Sequence, residues 1–292
     1  MEGSQNGQGG SAVGNLIFLF SLKPIVLGLI GMAVSGFSFP IAGVIILNNS
    51  LIPMRYMLMH GVILGGTLAI AWNLPMVLMV MLTNILLVLL MMAVNRSRSM
   101  TLANASTAMM VSTMGLASLI SHVLDVPSKD TLEVLWGSPF ALTTGDIVVI
   151  GLLSVALVVY CSVCFDIICV VFFDKDIAGA MGLNVRRHYT VMVMMTALAV
   201  AVSMKAMGAL LVDALLVLPV LIAARGAQGL KQLFVRSSLI GLALSISGYI
   251  VALVWNLPVS GVLALMSAVL YGVSSIWNVH LKRRNIICSR RK

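Results

Sequence analysis

The sequence predicts an all-α fold, a polytopic transmembrane helical bundle of eight to nine spans. Three observations predict it. Hydrophobic residues make up 60% of the chain and charged ones 9%, against about 25% charged in an average soluble domain. The apolar residues fall in continuous runs of about 20, enough to cross ~30 Å of hydrocarbon, rather than in the alternation of a membrane barrel. The basic residues, 18 Lys and Arg against 9 Asp and Glu, gather in short loops between the runs and in the C-terminal tail, which is how orientation is encoded. The net charge of +9 is therefore a topology signal and not a nucleic-acid one.

The Gly- and Gln-rich segment 1–15 reads as disordered and carries no cleavable signal peptide. The apolar transmembrane body covers 16–281 and a basic tail covers 282–292. A short amphipathic lead-in, Leu16–Leu22, precedes the first span, Ile25–Leu47, which Pro40 is placed to kink. The second span, Tyr56–Trp72, contains His60; Pro75 opens the third, which runs to Val94 and holds Asn84. Leu102–Leu124 is the fourth, rich in small residues that allow close helix packing in lipid. After a polar loop, Asp125–Asp146, the fifth runs to Phe173. Tyr189–Ala206 and Gly208–Ala224 form a tight hairpin, and Val235–Trp255 and Pro258–Val279 complete the set.

With the tail inside, the loops carrying Arg55, Arg96 and Arg98, Lys175 with Arg186 and Arg187, and Arg225 with Lys231 and Arg236 are all inside too. The outer loops keep Lys129 and Lys205 but also Asp125, Asp130, Glu133 and Asp146. Two outer turns echo each other, Ala71–Pro75 and Val254–Pro258, both Trp-Asn-Leu-Pro after a small or branched residue. Shared turn chemistry explains this better than duplication does. Cys161-x-x-Cys164 has metal-site spacing, but within an apolar span it reads as two small hydrophobes. The methionines recur all round their helices and read as packing rather than as a soft-metal path.

Four stretches carry a resemblance. Asp174–Leu183, Met204–Pro219, Arg55–Gly65 and Leu135–Asp146 follow in the order, and on the sides, seen in the permease subunits of the bacterial zinc/manganese/iron ABC importers. The chain resembles that family from about residue 25 to 280, and Met204-Lys205 through Leu210 leans toward its zinc members. The resemblance implies a homodimer of permeases, two copies of a separate ATPase, and a periplasmic or extracellular solute-binding protein that delivers the metal. It implies a multi-pass protein of the bacterial inner membrane with a cytoplasmic C-terminus. This chain has no Gly-x4-Gly-Lys-Ser/Thr phosphate loop. ATP is therefore expected to be used by the partner, no cofactor is expected on this chain, and the divalent metal is substrate. The chain departs from the family at three points: Tyr56 stands for the usual aspartate, Asp213 for Ser or Thr, and Asp166 for Arg or Lys.

Candidate residues follow from chemistry. Asp213 is a carboxylate inside a membrane span, where ionisable groups are costly and mark function. Five residues after Gly208, it is expected about 8 Å below the outer end of its helix, where a hard oxygen ligand suits Mn2+ and is accepted by Zn2+. His60 and Asn84 are further translocation-path candidates, His60 at a different depth, so that weak sites in relay fit better than one closed cage. The short amphipathic piece 174–185 is the expected ATPase-docking segment, through Asp174, Ile177, Ala178, Met181, Gly182 and Leu183. Gly208 and Pro219 bracket the Asp213 helix as hinge candidates. The competing readings are a chelated-metal or other organic cargo and a proton-coupled secondary transporter working through Asp213 and Asp166.

Overall fold

The computed structural model describes residues 22–94, 102–127 and 138–289. The segment 1–15, nearly all of the lead-in, Arg96, Arg98, Asp130 and Glu133 lie outside them. Eleven α-helices are present among the described residues: α1 Lys23–Asn48, α2 Ile52–Trp72, α3 Met76–Val94, α4 Leu102–Val123, α5 Thr144–Val163, α6 Phe165–Phe173, α7 Lys175–Ala180, α8 Val185–Met207, α9 Ala209–Ala224, α10 Leu230–Val254 and α11 Val259–Ser289. Eight are long and apolar enough to cross a membrane; α9, with 16 residues, is shorter. At 1.5 Å per residue α9 reaches about 24 Å, less than the ~30 Å hydrocarbon core.

Several boundaries move from the sequence expectation. Helix α2 starts at Ile52 with Pro53 in its first turn, so Arg55 is helical and buried rather than in a loop. Proline is pre-organised for that position, since the missing N–H is unbonded there anyway. Helix α5 starts at Thr144, not after Asp146. Thr143 caps it, with its hydroxyl oxygen accepting from Asp146 N at 3.2 Å while Asp146 Oδ2 accepts from Thr143 N at 3.1 Å. Asp146 is thus a buried capping carboxylate and not part of a solvated acidic loop. The fifth span breaks at Cys164 into α5 and α6. Helix α11 continues unbroken to Ser289, so residue 281 marks no structural boundary.

The echoing turns have one geometry. Asn73 and Asn256 both adopt the left-handed conformation, φ 53° and 49°. In each turn the following Leu N–H reaches back 2.9 Å to the carbonyl of Ala69 or Ala252. Asn tolerates this conformation and proline then opens the next helix, so turn chemistry accounts for the repeat.

Helix α1 is the central post. It packs on α5, α9 and α10, and Ser35, Ser38 and Gly43 are buried along it. The Ser38 and Ser154 hydroxyls bond at 2.8 Å between α1 and α5. Tyr249 of α10 donates its hydroxyl to the Ile25 carbonyl at 2.8 Å. A second group, α2, α3 and α4, packs together, and α8 joins it to the first. Helices α4 and α11 bury least and lie at the periphery. Small residues set these contacts because, in lipid, close backbone approach rather than water exclusion holds helices together.

These contacts fix depth along the bundle. The start of α1 and the end of α10 share one end, with Trp72 and Trp255 exposed there. The end of α1, the start of α2 and Arg225 share the other, which is the basic end.

Candidate functional site

The bundle interior holds one ion pair among the described residues. Arg55 Nη1 of α2 lies 3.2 Å from Asp213 Oδ1 of α9. Arg55 is buried, and 30% of the Asp213 side chain remains accessible. The guanidinium also stacks on the neighbouring Tyr56 ring, 4.7 Å from its centroid. Arg55 Nε is buried without a partner, so the site is only partly satisfied within this chain.

The pair corrects the expected position of Asp213. Gly43, close to the basic end of α1, abuts the Leu216 backbone, while Met207 is level with Gly31. Helix α9 therefore begins well inside the bundle and runs beside the half of α1 that ends at Asn48. Asp213 lies past the middle toward the basic end, within reach of an arginine in the first turn of α2, and not in the half facing the Trp turns. Sequence gives the ends of a helix but not its vertical offset. A 16-residue helix joined through Gly208 is free to be displaced along the bundle axis. Gly208, φ +91°, makes that join; a side chain there would be strained. Pro219 is buried inside α9.

His60 stands five residues further along α2. Its Nδ1 is 2.8 Å from the Tyr56 carbonyl oxygen. A carbonyl only accepts, so Nδ1 is the donor and Nε2 is the ring nitrogen left to ligate a metal. His60 lines a cavity of about 710 Å3 between α2 and α4, together with Ser118, Ser121, His122 and Asp125. The structure thus brings His60 to the same cavity as His122 and Asp125. No three His, Cys, Asp or Glu side chains among the described residues are close enough to hold one ion. Asn84 is fully buried on α3 against Gly61, the next residue after His60; its Nδ2 donates to the Val80 carbonyl at 3.0 Å and its Oδ1 has no partner.

The α7 segment is built as a presented knob. Asp174 caps it, its Oδ1 accepting from Asp176 N at 2.7 Å and Ile177 N at 3.2 Å. Gly182, φ +79°, ends it, and Leu183 N returns to the Ala178 carbonyl at 3.2 Å. Ala178 is fully buried in this chain's own core and Leu183 packs on that core, so these two seat the helix rather than face a partner. Ile177 and Met181 are the exposed apolar residues, 47% and 65%, beside Phe173 at 83%. Lys175 lies 4.1 Å above the Tyr189 ring, and its burial holds the ammonium below the usual lysine range.

Sequence reasoning placed Arg55 in a loop and assigned it no role. The signal was present: Pro53 marks the helix start three residues before Tyr56, which puts a base inside one apolar helix of a chain that carries an acid, Asp213, inside another.

The family model described as the ABC 3 transport family matches residues 22–278. The chain belongs to the ABC 3 transport family. Among its relatives, the high-affinity zinc uptake system membrane protein ZnuB of Buchnera aphidicola is 22% identical, over 75% of this chain and 84% of that protein. The manganese import system permease protein ScaB of Streptococcus parasanguinis is 31% identical, over 50% of this chain and 52% of that protein. Of solved structures, PsaBC from Streptococcus pneumoniae in complex with Fab shares the fold, with a TM-score of 0.76 at 20% identity, over 89% of this chain and 93% of that one.

Proposed function

We propose that this chain is the membrane-spanning permease subunit of an ATP-driven importer whose cargo is a divalent metal ion, Zn2+ or Mn2+, with Fe2+ the third candidate. Family membership over residues 22–278 carries the reading, and the zinc and manganese systems among the relatives support the cargo class. The chain acts as a pair of copies. A separate ATPase docks at the basic end on the face formed by Ile177 and Met181, and a solute-binding protein delivers metal at the Trp end. The basic end, with Arg225, Lys231 and Arg236, is the cytoplasmic one, and the α11 tail ends there.

Within that frame His60, Asn84 and Asp213 are the polar groups of the path. The His60 Nε2 lone pair and the unpartnered Asn84 oxygen each offer one ligand, and neither makes a closed cage, which suits a site that an ion must leave. At Asp213 the Arg55 guanidinium holds the place a cation would take. An arriving divalent ion bonds the carboxylate by displacing Arg55, whose charge then disfavours a second ion nearby. A proton carrier working through Asp213 and Asp166 has less support, because Asp213 is paired with Arg55 while Asp166 lines a groove on the outside of the bundle.

The test is uptake of radiolabelled Zn2+ and Mn2+ by cells expressing the chain with its ATPase and binding protein. Uptake is expected with wild type and with an inactive-ATPase control lost entirely. Equal uptake with the inactive ATPase, or none with wild type, contradicts the reading.

A further inference from the structure

Two hollows lie end to end on the outside of the bundle, between α1, α5 and α10. One, of about 520 Å3, is almost wholly apolar and is lined by Val34, Phe37, Val155, Val158, Val159 and Leu242. The other, of about 480 Å3, shares Phe37 and Val158 with it and reaches Asp166 and Lys231. Their walls open sideways: Val155, Val159, Val235 and Leu239 are each more than half exposed. In a membrane-spanning chain that direction is the bilayer wherever a second copy does not cover it. The floor is the α1–α5 contact closed by the Ser38–Ser154 hydrogen bond.

The groove has the length of one acyl chain. From Val155 to Asp166 is eleven residues, about 16 Å at helical rise, and one leaflet of a ~30 Å core is about 15 Å deep. Its charged end coincides with the membrane surface. Asp166 lies in the first turn of α6 and Lys231 in the first turn of α10, both at the basic end. Neither forms an ion pair among the described residues, although both line one hollow. A carboxylate and an ammonium at the mouth of an apolar slot, each without an ion-pair partner among the described residues, are complementary to a zwitterion that brings a donor cation for the acid and an anion for the base.

We propose that the α1–α5–α10 groove binds a phospholipid with a primary-ammonium headgroup, a phosphatidylethanolamine, with one acyl chain along the valine wall. The headgroup ammonium donates to Asp166 and the phosphate accepts from Lys231. A choline headgroup has no N–H to donate. A glycerol headgroup leaves Asp166 facing a net negative lipid. The proposal requires only that the chain spans a membrane, and it stands whatever the cargo.

Native mass spectrometry of the full-length chain, purified and offered equal amounts of phosphatidylethanolamine, phosphatidylglycerol and phosphatidylcholine with identical acyl chains, tests it. Wild type is expected to retain one phosphatidylethanolamine in about fivefold preference to the others, the scale of a single charge contact at a membrane surface. Asp166→Asn, at an exposed position with little bearing on folding, is expected to lose that preference and gain phosphatidylglycerol. Leu239→Trp, which fills the slot, is expected to lose the retained lipid of every headgroup. Equal retention of the three lipids by wild type overturns the proposal, as does an unchanged preference in Asp166→Asn. A Ser162→Cys variant that links two copies across this groove and carries no lipid also overturns it, since a second copy would then be the occupant.

Discussion

Arg55 and Asp213 meet at 3.2 Å inside a bundle that offers few other charges. Taking two ions out of water is costly and their attraction returns the cost only while both are present. Removing one leaves the other stranded. Asp213→Ala and Arg55→Ala are each expected to lower stability by about 3 kcal/mol, the lower end for a buried pair because Asp213 keeps contact with solvent. The double variant Arg55→Met/Asp213→Leu is expected to recover most of the loss. Thermal unfolding of the purified chain in one detergent checks the cycle. If the double variant loses as much as the two single variants together, the two side chains do not interact. The pair was half legible in sequence. An acid in an apolar run announces itself; its partner did not, because Arg55 sits beside a loop and only the proline before it reveals that the helix has already begun.

At the scale of elements, α7 and α9 carry the consequences. The capping aspartate, the apolar spacing and the terminal glycine of α7 were readable, because caps and stops are local chemistry. Which side of a six-residue helix faces its own core was not, because that depends on what α8 brings against it. Ile177→Asp and Met181→Asp are therefore expected to abolish association with the ATPase while leaving thermal stability within about 0.5 kcal/mol, the usual range for exposed sites. Ala178→Arg is expected to destabilise the chain itself, by forcing an unpaired charge into the core. Co-purification of the ATPase, measured beside melting temperature, separates the two outcomes; an Ile177 and Met181 double variant that still retains the ATPase removes this face from the interface. Helix α9 was read with the right ends and the wrong depth. Its offset is set by the Gly43–Leu216 approach and by the Gly208 join, whose φ of 91° and ψ of 153° lie in a region kept almost wholly for glycine. Gly208→Ala places a Cβ in that conformation and is expected to cost about 2 kcal/mol. Gly43→Leu is expected to cost more, since backbone rather than a flexible side chain blocks it. Urea-induced loss of tertiary structure for the two variants gives the comparison.

At the scale of the whole molecule, the membrane architecture was legible almost completely. Spans are dictated by the impossibility of leaving backbone groups unbonded in hydrocarbon, so apolar length alone marks them. What pairs across the interior depends on helix offsets that no single run encodes, and this is where Asp213, His60 and Asn84 acquire their neighbours. In the function proposed above, a metal ion takes the carboxylate from Arg55, and ATP hydrolysis in a partner drives the movement that lets the ion leave toward the basic end. Exchanging the two charges, Arg55→Asp with Asp213→Arg, separates this role from a merely structural one. The swap keeps the ion pair but moves the carboxylate from α9 to α2. Radiolabelled Zn2+ and Mn2+ uptake into proteoliposomes containing the permease, its ATPase and the binding protein is the direct measurement. The account predicts ATP-dependent uptake by wild type, and a swapped variant that is folded and binds the ATPase yet takes up less than about a tenth as much, the loss that one ligand contact worth about 1.4 kcal/mol would give. Wild-type uptake by the swapped variant, or no ATP-dependent metal uptake by wild type, would contradict it.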